Sequence, residues 1–281
     1  MTRQPLACEI ARSRFEAING LRLHFLQAGP AGAPAICFLH GGAAHAHWFD
    51  RVMPAFADRF HVISLDQRGH GLSQWARPPA YATEDFAGDL AALMDRLGWA
   101  RMVLVGHSMG GHNAMGFAAW HPERAAALVV VDSRPSLPPD RIQRMHERGQ
   151  RPPRLHASEA SAVASFRLLP RETMADPALL EHMARAGLAR VDGGFKYRFD
   201  PACYGDRRPV DCWPLLPRVC APALVVRGEH STILPAEMAA RMRETLPRAE
   251  VVEVPGAYHH LTLDAPAPFS AALDGFLRRV L

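Results

Sequence analysis

What most constrains this chain is a repeated unit: a short run of residues apolar on both faces, closed by turn chemistry and followed by a helical pattern. The runs are AICFLHGG (35–42), VISLDQRGHG (62–71), MVLVGHSMGG (102–111), ALVVVDSRP (127–135), ALVVRGEH (223–230) and VVEVPGAYHH (251–260). Strands apolar on both faces need cover on both, as parallel strands have. Between the runs, TEDFAGDLAALMDRLGW (83–99) sets Phe86, Leu90, Leu93, Met94 and Leu97 on one stripe, with Thr83 as its expected cap. Ahead of them, SRFEAINGLRLHFLQAG holds two alternating stretches joined by Asn19-Gly20, a hairpin signal. The pattern predicts an α/β fold: a doubly wound, mostly parallel sheet of eight strands.

The spacing of the runs divides the chain. The first four begin one ordinary βα unit apart, but the gap from Asp132 to Ala223 is too long for a single crossover. The proline-rich SRPSLPPD opens it and RRPVDCWPLLPRVCAP closes it. Inside, SEASAVASFRLL and DPALLEHMARAGLARV read as helices and GGFKYRF as a short strand. The expected organisation is a core from 1–133 and 214–281, with residues 134–213 forming a mostly helical cap over the C-terminal edge of the sheet.

Composition narrows the function classes. At 48% hydrophobic and 21% charged, the chain is an ordinary globular protein able to bury a large core. Its five cysteines lack C-x-x-C spacing, so neither a disulfide framework nor a zinc knuckle is indicated. MTRQPLACEIARSRF has no apolar leader, and no run is long enough to span a membrane, which points to the cytoplasm. The net charge of +4 is carried entirely by 134–213, where thirteen arginines and Lys196 face ten acids. No basic stripe with interleaved aromatics accompanies it, so nucleic acid is not an expected partner. An anionic small molecule is, since arginine pairs bidentately with carboxylates.

The sharpest local signal is Gly106-His107-Ser108-Met109-Gly110, the G-x-S-x-G pattern, set between an apolar strand and the helical HNAMGFAAWHP. A strand-to-helix turn this tight needs small residues two before and two after the serine. It lifts the hydroxyl above the sheet at a helix N-terminus, where developing negative charge is favoured.

With FLHGG, DQRGHGLS, GHSMGG and GAYHHLTLDAP in this order, the chain resembles the α/β-hydrolase fold family over almost its whole length. The resemblance implies roles. Ser108 is the nucleophile and His259 the general base, with His260 its local rival and His107 turned to the core or the pocket wall. The backbone N–H groups of Met109 and Gly42 form the oxyanion hole, with Ala43 the alternative to Gly42. Trp48, Phe166 and Trp213 are expected in substrate binding, with Phe195 and Tyr197 further candidates, and no cofactor is implied. HGGAAHAHWFD also raises an H-x-H metal reading through His45 and His47, with His40 and Asp50 near. Asp50 stands five residues after His45 and is followed by Arg51, which misses the spacing of dinuclear zinc hydrolases, so no metal is expected.

The acid is the anomaly. The family's usual position, three residues after the glycine of RGEHSTIL, holds Ser231, which cannot carry charge. Asp132 ends its strand after four apolar residues, where a carboxylate without partners is costly. Some α/β-hydrolases, including the (E)-2-(acetamidomethylene)succinate hydrolase type, take their acid from this earlier strand. Asp132 is the expected acid and Glu229 the alternative, with Ser231 a bystander. The expected activity is cofactor-free serine hydrolysis of an ester, thioester, lactone or amide. The alternatives are a C–C bond hydrolase of the same fold and a ligand-binding sensor that keeps the three residues.

Overall fold

A computed structural model describes residues 6–281. Residues 1–5, the start of the stretch read above for a leader, lie outside the described residues. No helix among the described residues is long and apolar enough to cross a membrane.

β1 (Arg12–Ile18) and β2 (Leu21–Ala28) form the expected antiparallel hairpin. Asn19 and Gly20 take φ of +49° and +78°, the left-handed pair that a two-residue turn of this type requires. β3 (Ala35–Leu39), β4 (His61–Leu65), β5 (Met102–His107), β6 (Ala125–Val131), β7 (Ala223–Gly228) and β8 (Ala249–Val254) complete one eight-stranded sheet in the order β1-β2-β4-β3-β5-β6-β7-β8. From β4 to β8 every neighbouring pair is parallel. Alternate residues of the central strands enter opposite cores. Ile36, Phe38, Val103, Val105, Val129 and Val131 face one side, and Cys37, Leu39, Leu104, Leu128 and Val130 face the other. The sheet is thus covered twice, as its doubly apolar runs demand.

α1 (Thr83–Leu97), α2 (Met109–Trp120) and α6 (Ala236–Thr245) cover the second of these faces, and α7 (Pro266–Val280) the first. In α1 the stripe from Phe86 to Met94 is buried, but Thr83 is not the cap. It is the first helical residue, its hydroxyl accepts the Val210 N–H at 3.1 Å, and Asp85 closes the turn on the Ala82 N–H instead.

Between β6 and β7 the chain leaves the sheet. α3 (Pro139–Gly149) buries none of its residues, so apolar periodicity does not announce it. α4 (Glu159–Ala164) lies within the first segment read as helix, and α5 (Pro177–Ala186) within the second. The second helix stops early: Leu188–Val191 pairs antiparallel with Gly194–Tyr197. The turn is Asp192-Gly193, with φ +81° at Gly193, and this Asp-Gly signal outweighs the helical pattern before it.

Candidate active site

Sheet register gathers the site. β3, β5, β6 and β7 are consecutive neighbours, with Leu39 level with Gly106, His107 with Val131, and Val131 with Val226. The glycine loop after β3, Ser108 after β5 and Asp132 after β6 therefore emerge side by side at the C-terminal edge, where open α/β sheets bind their ligands.

Ser108 sits at φ +52°, ψ −116°, between β5 and the first residue of α2. The turn tolerates no side chains beside it. A Cβ on Gly106 would lie 2.4 Å from the Gly110 carbonyl oxygen, and one on Gly110 would lie 2.2 Å from that of Leu39. Asp132 too has positive φ, +45°. Two strained non-glycine residues at adjacent strand ends mark a place where geometry is held against local preference.

The His259 ring joins them. Its Nε2 is 3.2 Å from Ser108 Oγ and its Nδ1 is 2.6 Å from Asp132 Oδ2. Asp132 is fully buried, and burial pushes its carboxyl up to about 7, against the pull of the Ser231 hydrogen bond. Burial, with His260 and Arg141 nearby, lowers His259 well below the usual histidine range, so the imidazole is neutral and free to accept a proton. Glu229 is exposed and accepts the Gly256 N–H at 2.7 Å, turned away from His259. Ser231 is no bystander: its hydroxyl donates to Asp132 Oδ2 at 2.5 Å and is itself held by the Ile233 N–H at 3.1 Å. The reason is the loop after β7, which turns back over the end of β6. His260 bonds to the Pro170 carbonyl, and His107 Nε2 bonds to the His259 carbonyl, bracing the loop from beneath.

Gly42 and Met109 both line the cavity at Ser108, and the N–H group of neither makes an internal hydrogen bond among the described residues. The loop carrying Gly42 is fixed from below. His40 Nε2 accepts the Gln67 N–H, Gln67 bonds the His40 carbonyl and Asn113, and Arg207 bonds Asn113. This network, spread over four elements, is not visible in any single motif. Ala43, at φ +59°, borders the outer cavity instead.

The cavity at Ser108 has a volume of about 490 Å³, and Arg134, Arg141, Arg144, Arg148 and Arg207 line it. Among the described residues, only Arg144 of these five has an ion-pair partner, the exposed Asp140. Arg134 Nε is buried without an acceptor. An outer cavity of about 990 Å³ shares Arg144, Arg148 and Tyr204 with the inner one and adds Arg151, Arg154, Arg167 and Arg171. The expected aromatic lining is not at the serine. Trp48 is 5% exposed and packs in the core against His45 and His260, because the turn at 46–49 points inward. Trp213 packs beneath Arg241 at the edge of the other core. Phe166 and Tyr197 border the outer cavity, while Phe195 borders neither. Tyr204, lying 3.1 Å from where a Gly42 Cβ would be, is the aromatic that reaches the site.

Comparison with known proteins agrees with this architecture. The chain is similar to 2-(acetamidomethylene)succinate hydrolase of Mesorhizobium japonicum, at 29% identity over 97% of this chain and 99% of that one. The crystal structure of E-2-(acetamidomethylene)succinate hydrolase superposes with a TM-score of 0.85 at 28% identity, covering 95% and 99% of the two chains. An α/β hydrolase from Novosphingobium aromaticivorans superposes with a TM-score of 0.80 at 30% identity, covering 96% and 99%. The model of the alpha/beta hydrolase fold matches residues 34–266, and the chain belongs to that family.

Proposed function

We propose that this hydrolase is a cofactor-free serine acyl hydrolase acting on a small carboxylate-bearing ester, thioester, lactone or amide. The observation that carries the reading is the line Ser108 Oγ, His259, Asp132, at 3.2 and 2.6 Å, on a strained strand-to-helix turn. His259 Nε2 takes the Ser108 proton as Oγ attacks the acyl carbon, and the Asp132 carboxylate holds the Nδ1 proton and stabilises the imidazolium. The Gly42 and Met109 N–H groups receive the oxyanion. Imidazolium then protonates the departing oxygen, sulfur or nitrogen. Water, deprotonated by the same ring, cleaves the acyl–Ser108 bond and restores the resting state.

Residues 134–213 act as a cap that brings arginines over the serine. A relative named for an acetamido-bearing succinate fits the same chemistry: an acyl group to cleave and carboxylates to hold. Arg134, Arg141 and Arg148, whose side chains have no internal hydrogen-bond acceptor among the described residues, support an anionic substrate at the inner cavity, and the outer cavity extends the same positive field toward solvent.

The test pairs a fluorophosphonate label with turnover of a p-nitrophenyl ester. Ser108→Ala should abolish both and leave the circular dichroism spectrum intact. Asp132→Asn should fold normally and lose about 10³- to 10⁴-fold in kcat by misplacing the histidine tautomer. Near-normal turnover by Ser108→Ala would sink the reading.

A further inference from the structure

Away from Ser108, three side chains from two distant parts of the chain converge on one point. His47 and Asp50 stand on the short turn after β3, and His182 stands on α5. Asp50 Oδ2 lies 2.9 Å from His47 Nδ1 and 2.7 Å from His182 Nε2, and the three ligating atoms all fall within 4.8 Å of one another. Asp50 is 1% exposed, whereas the His47 and His182 side chains are 23% and 29% exposed, so an ion has a route in from solvent.

Hydrogen bonding alone leaves this cluster incomplete. Both imidazoles spend their donors on one carboxylate oxygen, while Asp50 Oδ1 is buried with no partner. An orphaned carboxylate oxygen in a dry site is costly, and its presence asks for an unseen cation or donor. The donor set chooses among cations. Two imidazole nitrogens and one carboxylate oxygen suit zinc-like divalent transition ions, whereas magnesium and calcium prefer shells of oxygen. Bond lengths of about 2.0–2.1 Å to a tetrahedral zinc set donors roughly 3.3 Å apart, about half an ångström wider than the two separations from Asp50 Oδ2 and inside the 4.8 Å that bounds all three atoms.

We propose that His47, Asp50 and His182 form a zinc-type divalent metal site that ties α5 to the loop following β3, distinct from the hydrolytic centre. Three protein ligands leave the fourth position to water. Each imidazole must present its inner nitrogen as a lone pair and carry its proton on the outer one. A ring protonated beforehand releases that proton to solvent when the metal binds. The H-x-H spacing in HGGAAHAHWFD does not anticipate the site, because one ligand lies more than 130 residues further along the chain.

The test is a titration of chelator-treated enzyme with zinc ion at pH 7.5, read by a competing chromophoric chelator and by thermal melting. One equivalent should bind and raise Tm, with magnesium ion inactive in both assays. His182→Ala, a half-exposed change on α5, should weaken binding on the order of 100-fold or more and abolish the Tm rise. Asp50→Asn should do the same, and it serves as the second variant if its fold is intact. No binding by the wild type, or an unchanged Tm rise in His182→Ala, would overturn the assignment. So would one equivalent kept by His182→Ala together with loss of turnover, since that result places the ion on the buried His107, His259 and His260 cluster.

Discussion

In the proposed mechanism Asp132 and Ser231 divide what the resemblance assigns to one aspartate after β7. The carboxylate comes from the end of β6, one strand closer to Ser108, and the residue at the usual position supplies a hydroxyl that donates to it at 2.5 Å. In the proposed mechanism the active form needs Asp132 ionised and His259 neutral. Burial raises the Asp132 carboxyl to about 7, so the pair gives up its proton as pH rises through neutrality, and kcat/KM should climb over the same range. Ser231→Ala removes a donor that favours the ionised carboxylate. A hydrogen bond to a charged group is worth about 1.5–3 kcal/mol, which shifts the acid limb upward by roughly one to two pH units. Activity well above the limb should fall only a few-fold. A pH profile that superposes on the wild type would show Ser231 to be a spacer. Asp132 was legible in the sequence as a carboxylate closing a buried strand. Its partnership with Ser231 was not, because the contact spans ninety-nine residues and depends on how the β7 loop turns.

At the scale of elements, the unit that matters is strand β5, the Ser108 turn and helix α2, packed against the end of β3. Gly110 makes that packing possible, since a Cβ there would sit 2.2 Å from the Leu39 carbonyl oxygen and 2.6 Å from its carbon. The obstacle is backbone, which cannot rotate aside as a side chain can. Gly110→Ala should therefore destabilise the fold by at least about 1–3 kcal/mol, visible as a lower denaturation midpoint in urea. It should also lower kcat by displacing α2 and with it the Met109 N–H. A midpoint equal to that of the wild type would mean that β3 and α2 are not packed as described. This element was readable from G-x-S-x-G in its strand–helix context. The hairpin at Leu188–Tyr197 was signalled by Asp192-Gly193 but masked by the helical periodicity leading into it. Helix α3 carries no apolar stripe at all, since its exposed and half-buried side chains serve the cavity more than a core.

Across the whole molecule, charge is distributed against stability. Burial and the neighbouring Arg134 and Arg144 lower the Arg141 guanidinium from its usual range, and among the described residues no carboxylate pairs with it. Like charges held together with only the exposed Asp140 as counter-ion cost folding free energy and gain binding free energy when an anion arrives. Arg141→Gln should thus raise Tm while increasing KM for a carboxylated ester on the order of 10-fold, with little change for its neutral isostere. Added salt should depress kcat/KM for the charged substrate alone. Equal kcat/KM for the two esters at low salt, unmoved by the substitution, would remove the anionic part of the reading.

The sequence alone determined the sheet, the strand-to-helix turn at Ser108, the place of His259 after the last strand and the surplus of arginine between the fourth and fifth parallel strands, because each is written in local periodicity or in a motif of a few residues. Tertiary structure decided what depends on distant residues meeting. Trp48 is buried and Trp213 is packed, partly buried, at the edge of the other core, and neither lines the cavity at Ser108, since a loop's direction, not its composition, aims its side chains. Tyr204 over Gly42, Ser231 on Asp132, and His182 beside His47 and Asp50 each join segments from separate turns of the fold. A linear pattern shows which residues can do chemistry, but only the register of strands and the path of the loops show which of them meet.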